Sequence, residues 1–314
     1  MEIKPLITKS EIEALIQRIW GTTATQIEPI ASGEIAASYF FNVDAKGYVI
    51  RFTQPNMATG LYKDEIAAKH FSSPMLPVPP IICVEEHQGL TFAITQKMIG
   101  ETLDALTDEA YETAVPSVIA TLNQIQQTKI DAFGSGYGRF DDKGIGPFAS
   151  WPEFLLSVKD EEPAGSFYGK WHHLFETSFL EKELFDKIYS LMESHLAYCP
   201  EERFLIHGDY AFNNVLVKDG KVTAVLDWAN AAFGDFMLDV ASLNLLKPNI
   251  GFNGRFQAYY QTHNMHIPHY NERLLCCSCY AALDGLRYYA KTGQEEGYQW
   301  IRGLILHFLE KRES

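Results

Sequence analysis

Four side chains along one stretch of the sequence have the types that phosphoryl-group chemistry needs. His207, Asp209 and Asn214 stand in the order H-x-D-x-x-x-x-N, and Asp227 follows after two short apolar runs. In that register a carboxylate can orient an acceptor hydroxyl and take its proton, while an asparagine five residues later and a second carboxylate offer oxygen ligands to a hard cation. Magnesium held on nucleotide phosphates needs only one or two protein side chains, and Asn214 and Asp227 are the expected pair. Asn and Asp are also ordinary loop residues. Their fixed order around a hairpin is what carries the chemistry.

The elements around these residues must fix their geometry. Residues 215–217 and 222–226 read as the strands of a hairpin, because Asp219-Gly220 between them tolerates the positive φ of a tight turn. Asp227 then stands at the polar exit of an apolar strand. Upstream, residues 10–20 carry helical apolar spacing with Ser10 as the expected N-cap. Strands follow over 26–31, 36–43 and 48–52, with reversals expected at Ser32-Gly33 and Lys46-Gly47. A helix over 61–71 is stopped by Pro74, Pro77, Pro79 and Pro80, and strands over 81–85 and 90–97 complete a small lobe.

A boundary is expected near Ile99-Gly100, dividing the chain into 1–100 and 101–314. Beyond it the spacing is helical over 111–127, 151–158, 171–196, 237–246, 252–262, 272–291 and 294–311. Residues 131–150 form a glycine-rich loop or flap, and 204–206 a lone strand before the hairpin. The expected fold is α+β, with a small β-rich N-terminal lobe and a larger, mainly helical C-terminal lobe.

The bulk properties narrow the function. With 314 residues, 46% of them hydrophobic, the chain can bury the core of one large domain or two packed lobes. The charge, 26 − 40 = −14, opposes nucleic-acid binding, which needs a basic face, and suits a cationic partner. No run approaches the ~20 apolar residues of a membrane span, and the start, Met1-Glu2-Ile3-Lys4-Pro5, lacks a signal-peptide pattern. Five cysteines without paired spacing fit a reducing compartment. A soluble cytoplasmic protein with no membrane partner is expected. Cys276, Cys277 and Cys279 fall in an apolar run, where they read as small hydrophobes before metal ligands.

The chain resembles the aminoglycoside phosphotransferase family, whose fold is protein-kinase-like and bilobal, and within it the hygromycin-type subgroup. The resemblance runs nearly end to end, through Gly47-Tyr48-Val49-Ile50-Arg51, Tyr62-Lys63-Asp64, His70-Phe71, Leu76-Pro77-Val78-Pro79, Gly144-Ile145-Gly146, Cys199-Pro200-Glu201, Asn213-Asn214-Val215-Leu216, Ala224-Val225-Leu226-Asp227-Trp228 and Phe233-Gly234-Asp235. It implies ATP and Mg²⁺ as cofactors, Asp209 as the catalytic aspartate, Asn214 and Asp227 as metal ligands, and His207 as a brace for the loop. Asp239 would help hold that loop, although a role for Asp235 or Asp239 at a helix N-terminus is equally open. Trp228 is expected to pack and lock the angle of Asp227.

On the nucleotide side, a small-lobe cation normally meets the phosphates while paired with a carboxylate of the next helix. Arg51 takes that place with Glu65 as the expected partner and Asp64 as its competitor; arginine is not interchangeable with lysine there. Ser32 and Gly33 begin a glycine-poor loop expected to cover the nucleotide, and the family resemblance puts adenine against the backbone near Gln96, Lys97, Met98 and Ile99.

Carboxylates suit a cationic aminocyclitol. Asp209, Asp284 and Glu161 or Glu162 are the candidates, Asp284 because it interrupts an apolar helix. Tyr210, Phe212, Trp151 and Trp228 are read first as core. The leading expectation is transfer of the γ-phosphoryl group of ATP to a hydroxyl of an aminoglycoside-type substrate, with hygromycin B as one candidate acceptor. Two alternatives stand beside it. One is a kinase of a small hydroxylated metabolite such as choline, homoserine or a sugar; the other is a pseudokinase that binds nucleotide as an interaction module.

Overall fold

In the computed structural model, which describes residues 4–31, 36–163, 166–210 and 212–313, Thr8 and Glu11 cap each other at the start of the first helix. The Thr8 hydroxyl accepts from the Glu11 N–H and the Glu11 carboxylate from the Thr8 N–H. This reciprocal cap starts α1 (Lys9–Trp20) one residue ahead of Ser10, correcting the expected N-cap. Ile12, Leu15 and Ile16 form its buried stripe and pack with Phe41, Ile50, Phe52, Phe92 and Ile94. Each such buried side chain contributes about 1.5–3 kcal/mol of hydrophobic stabilisation.

Those aromatic and β-branched partners come from a five-stranded antiparallel sheet in the order β1-β2-β3-β5-β4. Its strands are β1 (Thr25–Ile30), β2 (Ala37–Val43), β3 (Lys46–Thr53), β4 (Ile81–His87) and β5 (Leu90–Gln96). The β2–β3 reversal falls on Asp44-Ala45, both at positive φ, and not on Lys46-Gly47. Lys46 already pairs with Val43. α2 (Thr59–Ile66) follows β3 and runs into one wider turn over Ala67–Phe71.

The unit built on this sheet comprises Met1–Lys129, Asp141–Ile145 and Ala211–Ala231. The expected boundary near Ile99-Gly100 therefore lies inside it. β6 (Glu101–Thr102) joins the hairpin β9 (Val215–Lys218) and β10 (Lys221–Val225) in the order β10-β9-β6. α3 (Asp108–Gln126), capped by Thr107, packs on β10, where the Ser117 hydroxyl accepts from the Val222 N–H at 2.9 Å. The hairpin turn is Asp219-Gly220, with φ of 51° and 72°, as its dipeptide predicts.

The second unit comprises Ile130–Phe140, Gly146–Tyr210 and Ala232–Ser314. It holds a short sheet, β7 (Gly138–Arg139), β11 (Ala232–Gly234) and β8 (Phe204–Ile206), in the order β7-β11-β8. Its helices are α4 (Trp151–Leu156), α5 (Leu174–Thr177), α6 (Lys182–Glu193), α7 (Met237–Leu246), α8 (Phe252–Thr262), α9 (Tyr270–Thr292) and α10 (Glu295–Glu313). α6, α7 and α10 pack on α9, whose Cys276, Cys277 and Cys279 are fully buried. The single helix expected over 171–196 is broken at Ser178, which turns extended while its hydroxyl donates back to the Leu174 carbonyl. Among the described residues no helix is long and apolar enough to cross a membrane.

Candidate active site

In the second unit, β8 delivers His207 into the core and the chain turns at once. Gly208 makes that turn possible with a φ of 79°, a conformation that suits glycine. The His207 and Gly208 N–H groups donate to Asp239 Oδ2 and Oδ1, each at 2.8 Å. Asp239 sits in the first turn of α7, so one buried carboxylate ties the helix to the loop. The His207 Nδ1 accepts from the Asp209 N–H at 3.3 Å, and its ring meets Tyr210 edge-on at 5.9 Å. His207 thus holds the Asp209 N–H, and Asp209 itself is half-buried. Tyr210 is core, as expected.

Burial pushes the Asp239 carboxyl up to about 7; the two N–H donors pull the other way, and the nearby charge of Asp209 adds to the rise. An unfolded Asp titrates near about 3.9. Between these values the folded chain binds more protons than the unfolded one, so this contribution to stability is complete below the lower value and lost as pH rises through about 7. Thermal unfolding followed from acid to mildly alkaline pH should show that loss, and Asp239→Asn should flatten it. An unchanged slope in the variant would assign the titration elsewhere.

In the first unit, the hairpin sets Asn214 against the strand end that carries Asp227. The Leu226 N–H donates to the Asn214 carbonyl at 2.7 Å, so the two oxygen-bearing side chains flank adjoining backbone. Asn214 is buried and Asp227 exposed, with Asp227 in the left-handed region at φ 58° and ψ 77°. Aspartate tolerates that region better than most residues. Trp228 is buried beside it, its ring 5.9 Å from Phe71 and its Nε1 donating to the Val225 carbonyl at 3.3 Å.

Arg51 lies on β3 of the same unit. Its Nη2 donates to Asp64 Oδ2 at 2.5 Å, whereas Glu65 pairs with Lys69 at 2.7 Å on the helix surface. The expected Arg51–Glu65 pair is corrected to Arg51–Asp64: adjacent helical residues diverge by about 100°, and Asp64 is the one facing inward. Burial disfavours the Arg51 charge, but Asp64 and then Asp227 more than restore it.

The other predicted residues fall as follows. Ser32 and Gly33 lie outside the described residues. The Gln96 N–H is taken by the Pro80 carbonyl and the Lys97 N–H by Gly47, each at 2.9 Å, so neither amide is open to adenine; Met98 follows, half-buried. Asp284 stands inside the unbroken α9, where it accepts from Arg287 at 2.8 Å, Arg139 at 3.0 Å and the Tyr168 hydroxyl at 3.1 Å. Burial would raise its carboxyl, yet the two guanidinium groups hold it at about 2. Two cations against one anion make this the reverse of the acidic patch expected there. Glu161 pairs with Lys170 at 3.2 Å, with His172 beside it. Arg139, Arg273 and Arg287 went unread in the sequence, and Lys63 was read only as part of Tyr62-Lys63-Asp64. The carboxylate partners of Arg139 and Arg273 lie 145 and 38 residues away along the chain, and Arg287, three residues after Asp284, resembles a solvated helical cation.

Three comparisons bear on this arrangement. The sequence model described as "Phosphotransferase enzyme family" matches residues 26–271. Hygromycin-B 4-O-kinase of Escherichia coli is 27% identical over 304 residues, covering 96% of this chain and 85% of the relative. A crystal structure of a thermostable mutant of aminoglycoside phosphotransferase APH(4)-Ia, in ternary complex with AMP-PNP and hygromycin B, superposes with a TM-score of 0.79 at 25% identity, over 93% of this chain and 96% of that one. Spectinomycin phosphotransferase APH(9)-Ia, in complex with ADP and spectinomycin, shares the fold at 12% identity and a TM-score of 0.62, over 95% of each chain.

Proposed function

This chain belongs to the phosphotransferase enzyme family, and from that premise we propose that it transfers the γ-phosphoryl group of ATP to a hydroxyl of an aminoglycoside-type acceptor, with hygromycin B the first candidate. The observation that carries the chemistry is the hairpin joining Asn214 to Asp227 beside an arginine whose charge is reinforced by both Asp64 and Asp227. The acceptor class rests on the end-to-end likeness to a hygromycin-B kinase.

Asp209 would accept a hydrogen bond from the acceptor O–H and take its proton as that oxygen attacks the γ-phosphorus. The bond from phosphorus to the β,γ-bridging oxygen breaks, and ADP leaves with the electron pair. Arg51 would offer its guanidinium to the phosphate oxygens. Asn214 and Asp227 are oxygen donors of the kind Mg²⁺ takes, and both lie at the ends of one hairpin, so they fit the ion. Bound there, Mg²⁺ would neutralise charge on the phosphate oxygens.

A second acceptor class is favoured by one observation: the acidic groups expected to meet ammonium substituents, Asp284 and Glu161, are engaged by Arg139, Arg287 and Lys170. That suits a hydroxylated metabolite with fewer positive charges. ADP release by the purified chain with Mg·ATP, measured against hygromycin B, other aminoglycosides, choline, homoserine and simple sugars, separates the two. Aminoglycoside-dependent release, with a product heavier by one phosphoryl group, is the expected result. Release with a metabolite alone would overturn the acceptor class, and none with any acceptor would overturn the proposal.

A further inference from the structure

Gly60, Lys63 and Asp64 share one face of α2, at the i, i+3, i+4 spacing that stacks side chains along a helix. All three meet the backbone that follows Asp227. Asp64 Oδ1 accepts from the Trp228 N–H at 2.9 Å, and Lys63 Nζ donates to the Ala229 carbonyl at 2.7 Å. Gly60 lets the helix come close: a Cβ there would lie 3.0 Å from the Ala229 Cβ. Lys63 is only 1% exposed, so its ammonium has given up water for fixed partners, a cost that a merely solvated lysine avoids.

The backbone so gripped is unusual. Asp227 holds a left-handed conformation, and its side chain makes one long contact, 3.4 Å, to the Ala229 N–H. A carboxylate on such a segment points where its flanking peptides direct it. We infer that Lys63 and Asp64 are positioning residues that clamp the Trp228–Ala229 backbone and thereby aim the Asp227 carboxylate at its metal, with Gly60 providing the close approach. Asp64 serves two ends at once: its other oxygen holds Arg51, so the phosphate-facing cation and the metal-facing anion are referred to one side chain. The inference rests on taking Asp227 as a Mg²⁺ ligand.

The test compares Lys63→Met, which keeps the length and apolar stem, and Gly60→Ala, which adds one methyl to a helix that favours alanine, with Lys69→Ala on the outer face as control. Amide exchange of the 226–231 segment, followed by mass spectrometry without metal or nucleotide, should speed up in both variants and not in the control. Titration calorimetry with ADP, in EDTA and in Mg²⁺, should show metal-free affinity within about twofold of the parent while the gain on adding Mg²⁺ falls about 10- to 100-fold. Parent-like exchange and a parent-like Mg²⁺ gain in folded variants would overturn the clamp alone, as would equal losses with and without metal. A parent chain whose ADP affinity ignores Mg²⁺ would overturn the role of Asp227 and this inference with it. Should Lys63→Met fail to fold, Gly60→Ala decides.

Discussion

Asp209→Ala is expected to lower kcat by about a hundred- to ten-thousand-fold, the range for losing a positioned proton acceptor, while leaving Mg·ADP affinity unchanged. Its distinguishing feature is what else Asp209 does. Its N–H donates to His207 Nδ1, a backbone bond that truncating the side chain leaves in place. Its charge, however, helps raise the Asp239 carboxyl. Removing that charge lowers the folded value for Asp239 and narrows the pH window over which stability is lost. Asp209→Asn should therefore unfold at a higher temperature than the parent near pH 8 while being nearly inactive, the sign expected when a functional site holds like charges together. Full turnover in the alanine variant would remove Asp209 from the chemistry. Loss of both turnover and ADP binding would mark the substitution as a folding defect.

What was legible in the sequence follows from how far apart interacting residues lie along the chain. His207, Asp209, Asn214 and Asp227 lie within one short stretch, and a two-strand hairpin with an Asp-Gly turn leaves little freedom in how its ends are presented. That turn forms as read. Two residues of uncertainty were enough to misplace others. The β2–β3 reversal moved from Lys46-Gly47 to Asp44-Ala45 because strand pairing, not the glycine, selected the register. Arg51 chose Asp64 over Glu65 because the phase of a short helix is set by what it packs against, and α2 packs on the segment after Asp227. Spacing alone did not supply that phase.

Asp284 marks a different limit. Its place in an apolar helix was visible, yet the meaning of that charge depended on Arg139, 145 residues away, and on Tyr168, 116 residues away. A lone acid in a helix announces a partner without saying whether the partner is a substrate or an arginine. The break at Ser178 was hidden for a related reason, since apolar residues continue on both sides and periodicity does not register the short non-helical stretch between α5 and α6.

Arg273→Ala should be the most destabilising of the substitutions considered, costing about 3–5 kcal/mol in urea denaturation, the range for orphaning one member of a buried ion pair. Arg273 and Asp235 have side chains only 5% and 0% exposed and meet as a two-pronged pair, Nε to Oδ2 at 2.9 Å and Nη2 to Oδ1 at 2.6 Å. The guanidinium also lies 5.0 Å over the Phe236 ring and donates to the Pro268 carbonyl at 3.2 Å. Truncation leaves the Asp235 carboxylate buried with only the Met237 N–H, 2.9 Å away at the start of α7, to receive it. That helix carries, within its first turn, Asp239, the residue that holds His207 and Gly208. Loosening its first turn should therefore reach the loop: Arg273→Ala should lower kcat at temperatures where the chain is still folded, and do so without changing Mg·ADP affinity. Arg273→Lys, which keeps the charge but not the fork, should recover part of the stability and less of the rate. A loss below about 1 kcal/mol would mean the pair behaves like an exposed one, and a normal kcat in a destabilised but folded variant would show that α7 holds the loop without help from its buried pair.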